Sequence, residues 1–179
     1  MLKSDFKNKG EDVYIHDNVN ITRPEISSIG NKVAIDYGFH CTTSIDIGDY
    51  VHIGPHVSCI GGSQGIFIAK GFNNIMAGAR LICTSDRFNH SGLFGSMIPK
   101  EFKGEQIIKP IIMEKFSNVA TNSVVLPGST LREGVLLTVG SVLMGDTEAW
   151  GVYSGNPAKL VKKIDGSKII ENAKKILYT

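Results

Sequence analysis

Residues 29–59 read IGNKVAIDYGFHCTTSIDIGDYVHIGPHVSC, and counting in sixes from Ile29 lands on Ile35, Cys41, Ile47, Ile53 and Cys59. Each of these is aliphatic or a thiol. Four positions after each stands Val33, Phe39, Ile45, Val51, Val57 and then Ser63, again apolar or small. Gly30, Gly48 and Gly54 directly follow the first position of their hexads, and Asp36 follows Ile35. A helix would demand a 3.6 period and an ordinary sandwich strand a period of 2. Sixes of this kind suit a short strand followed by a tight corner, where glycine permits unusual φ or close backbone approach. Three hexads close one triangular coil, and stacked coils bury a continuous column of aliphatic side chains.

The period returns with Val119, Val125, Leu131, Leu137 and Leu143, whose second row is Ser123, Ser129, Val135 and Ser141. Between the two runs, Ile68 with Phe72 opens a turn of the same style. The segment from Asn73 to Leu81 then needs one extra residue to keep register, which predicts a bulge. The fold class expected is all-β: a left-handed parallel β-helix of hexapeptide repeats with a long inserted loop and a short C-terminal helix. The loop is residues 84–109, where the hexads vanish into polar, glycine-containing and aromatic sequence; a loop of this length in a compact array is usually functional. Residues 168–177, KIIENAKKIL, place Ile169, Ile170, Ala173, Ile176 and Leu177 at helical spacing. The division expected is a β-helix domain over 1–164 and a helical tail over 165–179.

Composition narrows the class. The chain of 179 residues suits one domain with its own core. A net charge of only +2 gives no general field for polyanions, so nucleic acid is not an expected partner. The start of the chain has no apolar leader, and no stretch approaches the roughly 18 apolar residues of a membrane span. Cys41, Cys59 and Cys83 form no CxxC pair, and an odd count argues against a disulfide framework. A reducing, cytoplasmic setting is expected, with no metal site built from these thiols.

Three features resemble the hexapeptide-repeat acyltransferase family. One is the hexad tract. The second is Asn122-Ser123-Val124-Val125-Leu126-Pro127-Gly128-Ser129-Thr130-Leu131, similar to that family's ILPGVTIG coil, leading to Val139-Gly140-Ser141-Val142. The third is Gly155-Asn156-Pro157-Ala158-Lys159-Leu160-Val161-Lys162-Lys163-Ile164, similar to the GNPAKVIRKI ending. The loop start Thr84-Ser85-Asp86 looks nearest to bacterial sugar O- or N-acetyltransferases of surface polysaccharide and lipopolysaccharide biosynthesis. The resemblance implies transfer of an acetyl or other acyl group from acetyl-CoA to a hydroxyl or amino group of a sugar or nucleotide-sugar. It also implies a homotrimer with active sites between subunits.

Acyl transfer needs removal of the acceptor's proton and stabilisation of the oxyanion. A neutral histidine suits the first task near pH 7. His52, in Val51-His52-Ile53-Gly54, and His40 fall at the sixth hexad position and should project outward. His56 follows Pro55 at a corner, and His16 precedes the regular hexads as a surface residue. The expected base is His52, with His90 in the loop second; Asp86 would orient the imidazole or hold the acceptor. Many family members carry a catalytic histidine at the position of Asp86, and this chain departs from them there. An alternative is that no side chain acts as base and an amine acceptor loses its proton to the departing thiolate. By resemblance, the pantetheine arm of the donor lies near Ala120, Thr121, Val139 and Gly140, and Lys159, Lys162 and Lys163 meet the coenzyme phosphates.

Two rival readings share the fold. A zinc-dependent enzyme like the γ-class carbonic anhydrases would need three converging histidines, for which His52, His56 and His90 are the candidates. A non-catalytic scaffold would have little use for the long polar loop or the GNPAK tail.

Overall fold

The computed structural model describes residues 6–177. Residues 1–5 of the chain start considered above for a leader, and the last two residues of the tail, lie outside that range. The chain winds as a left-handed triangular coil whose three sides are sheets of six, eight and six strands, parallel except for the final strand of the second. Parallel crossovers are normally right-handed because twisted strands feed them. Here most strands are only two to four residues long, too short to carry much twist.

On the first face Ile29, Ile47, Ala69, Met113 and Leu131 stack inward; on the second, Ile15, Ile35, Ile53, Ile75, Val119 and Leu137; on the third, Ile21, Cys41, Cys59, Leu81, Val125 and Leu143. Fully burying each such side chain contributes about 1.5–3 kcal/mol, so the columns carry the stability. The three cysteines are free and buried, and burial pushes the Cys59 thiol up, as expected of inert core residues.

Two register expectations need correction. The coils begin before Ile29: Ile15 and Ile21 are buried beneath Ile35 and Cys41, so His16 belongs to a coil rather than preceding the repeat. There is also no bulge between Asn73 and Leu81. Ala69, Ile75 and Leu81 point inward at strict six-residue spacing and pair with Ile47, Ile53 and Cys59. The extra residues sit upstream in a turn over 61–65, closed by the Gly65 N–H donating to the Gly61 carbonyl at 3.0 Å, with Gly62 at φ +58°. Ser63 is exposed there, and Ile68 and Phe72 face outward instead of opening a hexad.

Asn73 occupies an inward corner position and is satisfied in place. Its Nδ2 donates to the Glu114 and Ser117 carbonyls at 2.8 and 2.9 Å, and its Oδ1 accepts the Gly71 N–H at 2.9 Å. The loop leaves the third face as an antiparallel pair, Thr84–Asp86 against Gln106–Ile108. At the far end Gly151–Gly155 and Ala158–Lys163 form a hairpin that covers the last edge of the second sheet. Helix α1, Ser167–Leu177, then runs back along the coils. Trp150 is seated where a side chain at Gly134 or Gly166 would collide with its ring, which ties the last coil to the start of α1. Among the described residues no helix is long and apolar enough to cross a membrane.

Candidate active site

The outward row of the second face carries the titratable chemistry. His52 stands between Ala34 and Asn74 on neighbouring strands. Its Nε2 lies 2.8 Å from Oδ2 of Asp36, the diagonal neighbour one coil below. The small side chain at Ala34 leaves that diagonal open. A carboxylate accepting from Nε2–H fixes the tautomer and leaves the Nδ1 lone pair free. The sequence reading paired His52 with no residue of its own face. Asp36 was detectable, since a coil of eighteen residues brings position 34 beside position 52 and leaves position 36 on its diagonal.

Asp86 and His90 lie elsewhere in the subunit. Asp86 follows the third face at the base of the loop, where it accepts from Gln106 Nε2 and from the Gly95 N–H, both at 3.0 Å. These two hydrogen bonds, the Gln106 one foremost, hold its carboxyl below the usual range. His90 sits exposed in the loop at φ +59°. Within one subunit the structure therefore brings neither residue to His52.

The residues expected to line the donor path lie along one edge. Along the corner between the second and third faces a backbone ladder climbs from coil to coil. His56 donates to Tyr37 at 2.9 Å, and Gly78 to Pro55, Asn122 to Ala77 and Gly140 to Thr121, each at 3.0 Å. Thr121 and Val139 alternate with these donors, and their own N–H groups have no acceptor among the described residues. Val139 is 67% exposed, Ala120 is buried against the face, and a side chain at Gly140 would meet nothing within 4 Å. The edge is thus lined with small groups and free amide donors, which fits an amide-bearing pantetheine arm.

The hairpin tip closes on this edge: the Gly155 N–H donates to Ser141 Oγ at 3.1 Å. Lys159 and Lys162, opposite Ser154 and Val152, are exposed and form no ion pair among the described residues. Lys163 differs, being held by Glu148 at 2.9 Å and by the Ala149 carbonyl at 2.8 Å. Two of the three lysines remain available for phosphate.

The histidine triad that zinc would need is not assembled. His52 faces Asp36, His56 stacks edge-on against Tyr37 at 5.2 Å, and His90 is in the loop. Among the described residues no cluster of three His, Cys, Asp or Glu is placed to hold a metal ion.

No family model matches the chain. It is 30% identical over 177 residues to the dTDP-4-amino-4,6-dideoxy-D-glucose acyltransferase of Escherichia coli, covering 96% of this chain and 85% of that protein. Among solved structures it superimposes on AntD, an N-acyltransferase from Bacillus cereus in complex with dTDP and 3-hydroxybutyryl-CoA, at a TM-score of 0.92 and 27% identity. That alignment covers 97% of this chain and 91% of AntD. The hexapeptide-repeat acetyltransferase VCA0836 from Vibrio cholerae, at 18% identity and a TM-score of 0.59 over 92% of this chain and 77% of that one, shares the fold.

Proposed function

Because the chain belongs to the hexapeptide-repeat acyltransferase family, we propose that it acylates the amino group of a nucleotide-linked amino sugar. It is a coenzyme A-dependent acyltransferase. The dTDP-amino-sugar substrate named for the Escherichia coli relative and the dTDP bound to AntD support a nucleotide-sugar acceptor. The observation that carries the reading is the coexistence, on one face, of an oriented histidine and an edge suited to the donor.

The thioester supplies an activated acyl carbonyl and a good leaving group. Thr121 and Val139 N–H groups hold the arm that carries it, the open corner at Gly140 admits it, and Lys159 and Lys162 take the phosphates. His52 removes the proton that the acceptor amine sheds as it attacks, using the Nδ1 lone pair. Asp36 holds the ring and balances the imidazolium charge that results. General-base assistance of this kind is worth roughly 10²–10⁴-fold in rate.

Asp86 and His90 enter through assembly. In a homotrimer the loop of one subunit faces the second face of the next, and the ionised Asp86 then meets the acceptor's amino or hydroxyl group. The catalytic unit runs to residue 164 and the helical tail from 165. The buried free thiols support a reducing, cytoplasmic setting.

The test is thiol release from acetyl-CoA and longer acyl-CoAs with dTDP-4-amino-4,6-dideoxyglucose and other nucleotide amino sugars. Turnover with at least one of them is expected. Turnover with sugar hydroxyls alone would overturn the amine assignment.

A further inference from the structure

The loop that leaves the third face doubles back on itself as a closed arm. Its base is the antiparallel pair Thr84–Asp86 against Gln106–Ile108, with Asp86 directly opposite Gln106. Beyond that pair the Arg87 N–H donates to the Glu105 carbonyl at 2.7 Å, and further out the Leu93 N–H donates to the Phe102 carbonyl at 2.9 Å. A side chain at Gly92 would collide with the Gly104 backbone, so glycine lets the two limbs approach there. The rings of Phe88 and Phe94 meet at 4.9 Å, and the next residue, Gly95, returns to the base of the arm.

The result is a carboxylate gripped from two sides. Gln106 Nε2 donates to Asp86 Oδ1 and the Gly95 N–H donates to Oδ2, both at 3.0 Å. Both donors are neutral. The charged groups flanking Asp86 are engaged elsewhere: Arg87 pairs with Glu105 at 3.0 Å, and Lys103 Nζ donates to the Ser96 carbonyl at 3.3 Å. Lys103 acts on Asp86 only through space, as the weakest of the influences that hold its carboxyl down. Among the described residues Asp86 forms no ion pair. A carboxylate offers about four acceptor sites, so roughly two remain open.

An arginine partner would fix a carboxylate and cancel its charge together. Two neutral donors fix it and leave the charge in place. A group that attracts an amine, which arrives as an ammonium ion near neutral pH, and sets it against an acyl carbonyl needs both properties.

We propose that Gln106, with the Gly95 N–H, is a positioning residue for the acyl transfer, holding the Asp86 carboxylate charged and fixed where the acceptor's amine meets it. This deepens the proposed function and rests on its placing of Asp86 at the amine.

The test reads kcat/KM for the nucleotide amino sugar across pH in wild type, Gln106→Leu, Gln106→Glu, Asp86→Asn and the double variant of Gln106→Leu with Asp86→Asn. Asp86→Asn is expected to lose about 100-fold and Gln106→Leu about tenfold, with KM for acyl-CoA unchanged in both. The double variant is expected to fall less than about twofold below Asp86→Asn, because Gln106 acts only through Asp86. Gln106→Glu sets a second carboxylate against the first. Like charges so close resist ionising together, so the pair keeps one proton to a higher pH than either alone. While that proton stays, the protonated Glu side chain donates to Asp86 as the amide did; once it leaves, the two repel. The ratio of this variant to wild type, in which the titration of His52 cancels, is therefore expected to rise about fivefold or more as pH falls from about 8 to about 5. A flat ratio, an unchanged Gln106→Leu, or a double variant that loses the product of the two single losses would overturn the positioning role and leave Asp86 at the amine. Asp86→Asn turning over at the wild-type rate would overturn the placement of Asp86 and this proposal with it.

Discussion

Gly140 offers the sharpest check on the donor edge, because the structure supplies a matched control. Both Gly140 and Gly145 hold positive φ, +67° and +84°, and a side chain at either would meet nothing within 4 Å. Each donates its N–H, Gly140 to the Thr121 carbonyl at 3.0 Å and Gly145 to Ser129 Oγ at 3.1 Å. They differ in place: Gly140 is on the corner between the second and third faces, Gly145 on the corner after the third. Asparagine tolerates this backbone region, and Asn122 already occupies it one coil below at φ +57°. Gly140→Asn and Gly145→Asn should therefore each cost about 1 kcal/mol or less, a Tm change within about 4 °C. Only the first puts an amide side chain where the pantetheine arm is to run. Displacing one or two arm hydrogen bonds, at about 0.5–1.5 kcal/mol apiece, raises KM for acyl-CoA about tenfold. The assay is steady-state thiol release at saturating acceptor, with thermal melts run beside it. Equal KM values for the two variants would refute the placement of the donor at this corner.

His52→Ala should lower kcat by 10²–10⁴-fold, as expected for a general base, and Asp36→Asn by less. His40→Ala, on the third face between Asn20 and Ser58, should leave turnover unchanged. Wild-type turnover by the first variant would transfer the proton to the departing thiolate. Lys159→Ala with Lys162→Ala should raise KM for acyl-CoA and flatten its salt dependence, whereas Lys163→Ala, which breaks a bond to Glu148, should leave that KM in place. Ile53→Ala, at a fully buried position, should cost about 3 kcal/mol, a Tm loss of roughly 6–12 °C by scanning calorimetry. Asp86 has a depressed carboxyl pKa in the folded loop, so its contribution is present above the ordinary aspartate value and is lost as pH falls through the lower folded one. Protease cutting of the loop should accordingly rise at acid pH in wild type. In Gln106→Leu that rise should begin at a higher pH, and identical profiles would remove Gln106 as the cause.

The inward columns were legible because burial imposes a period that no polar residue can imitate for long. Where the reading slipped, a local feature outweighed the period. The three-residue turn Pro24–Ile26 spreads Ile21 and Ile29 eight positions apart, which hid the earlier coils from a strict count of six. Asn73 points inward while its neighbour Phe72 points out, so hydrophobicity alone placed Phe72 in the core and shifted the register. Only the hydrogen bonds from Asn73 to the Glu114 and Ser117 carbonyls explain why an amide is tolerated there. That Thr121 and Gly140 share a corner followed from the repeat, since eighteen residues separate Asn122 from Gly140. The partner of His52 required knowing which rows meet across coils. Where α1 comes to rest, against Tyr50, Phe72 and Phe116, is encoded by no repeat period.

The three outward faces are not equivalent, and their differences argue for a single reaction surface. On the third face Arg80 is committed to the corner, its guanidinium donating to the His56 and Gly78 carbonyls at 2.8 Å, and among the described residues His40 pairs with no carboxylate. On the first face the outward row runs through Asp46, Ile68 and Ile112 without a histidine. Among the described residues only the second face sets an imidazole beside a carboxylate, with the open corner at Gly140 along one margin. A donor lying along that corner would bring its thioester toward His52, and direct transfer between two bound substrates requires such an approach.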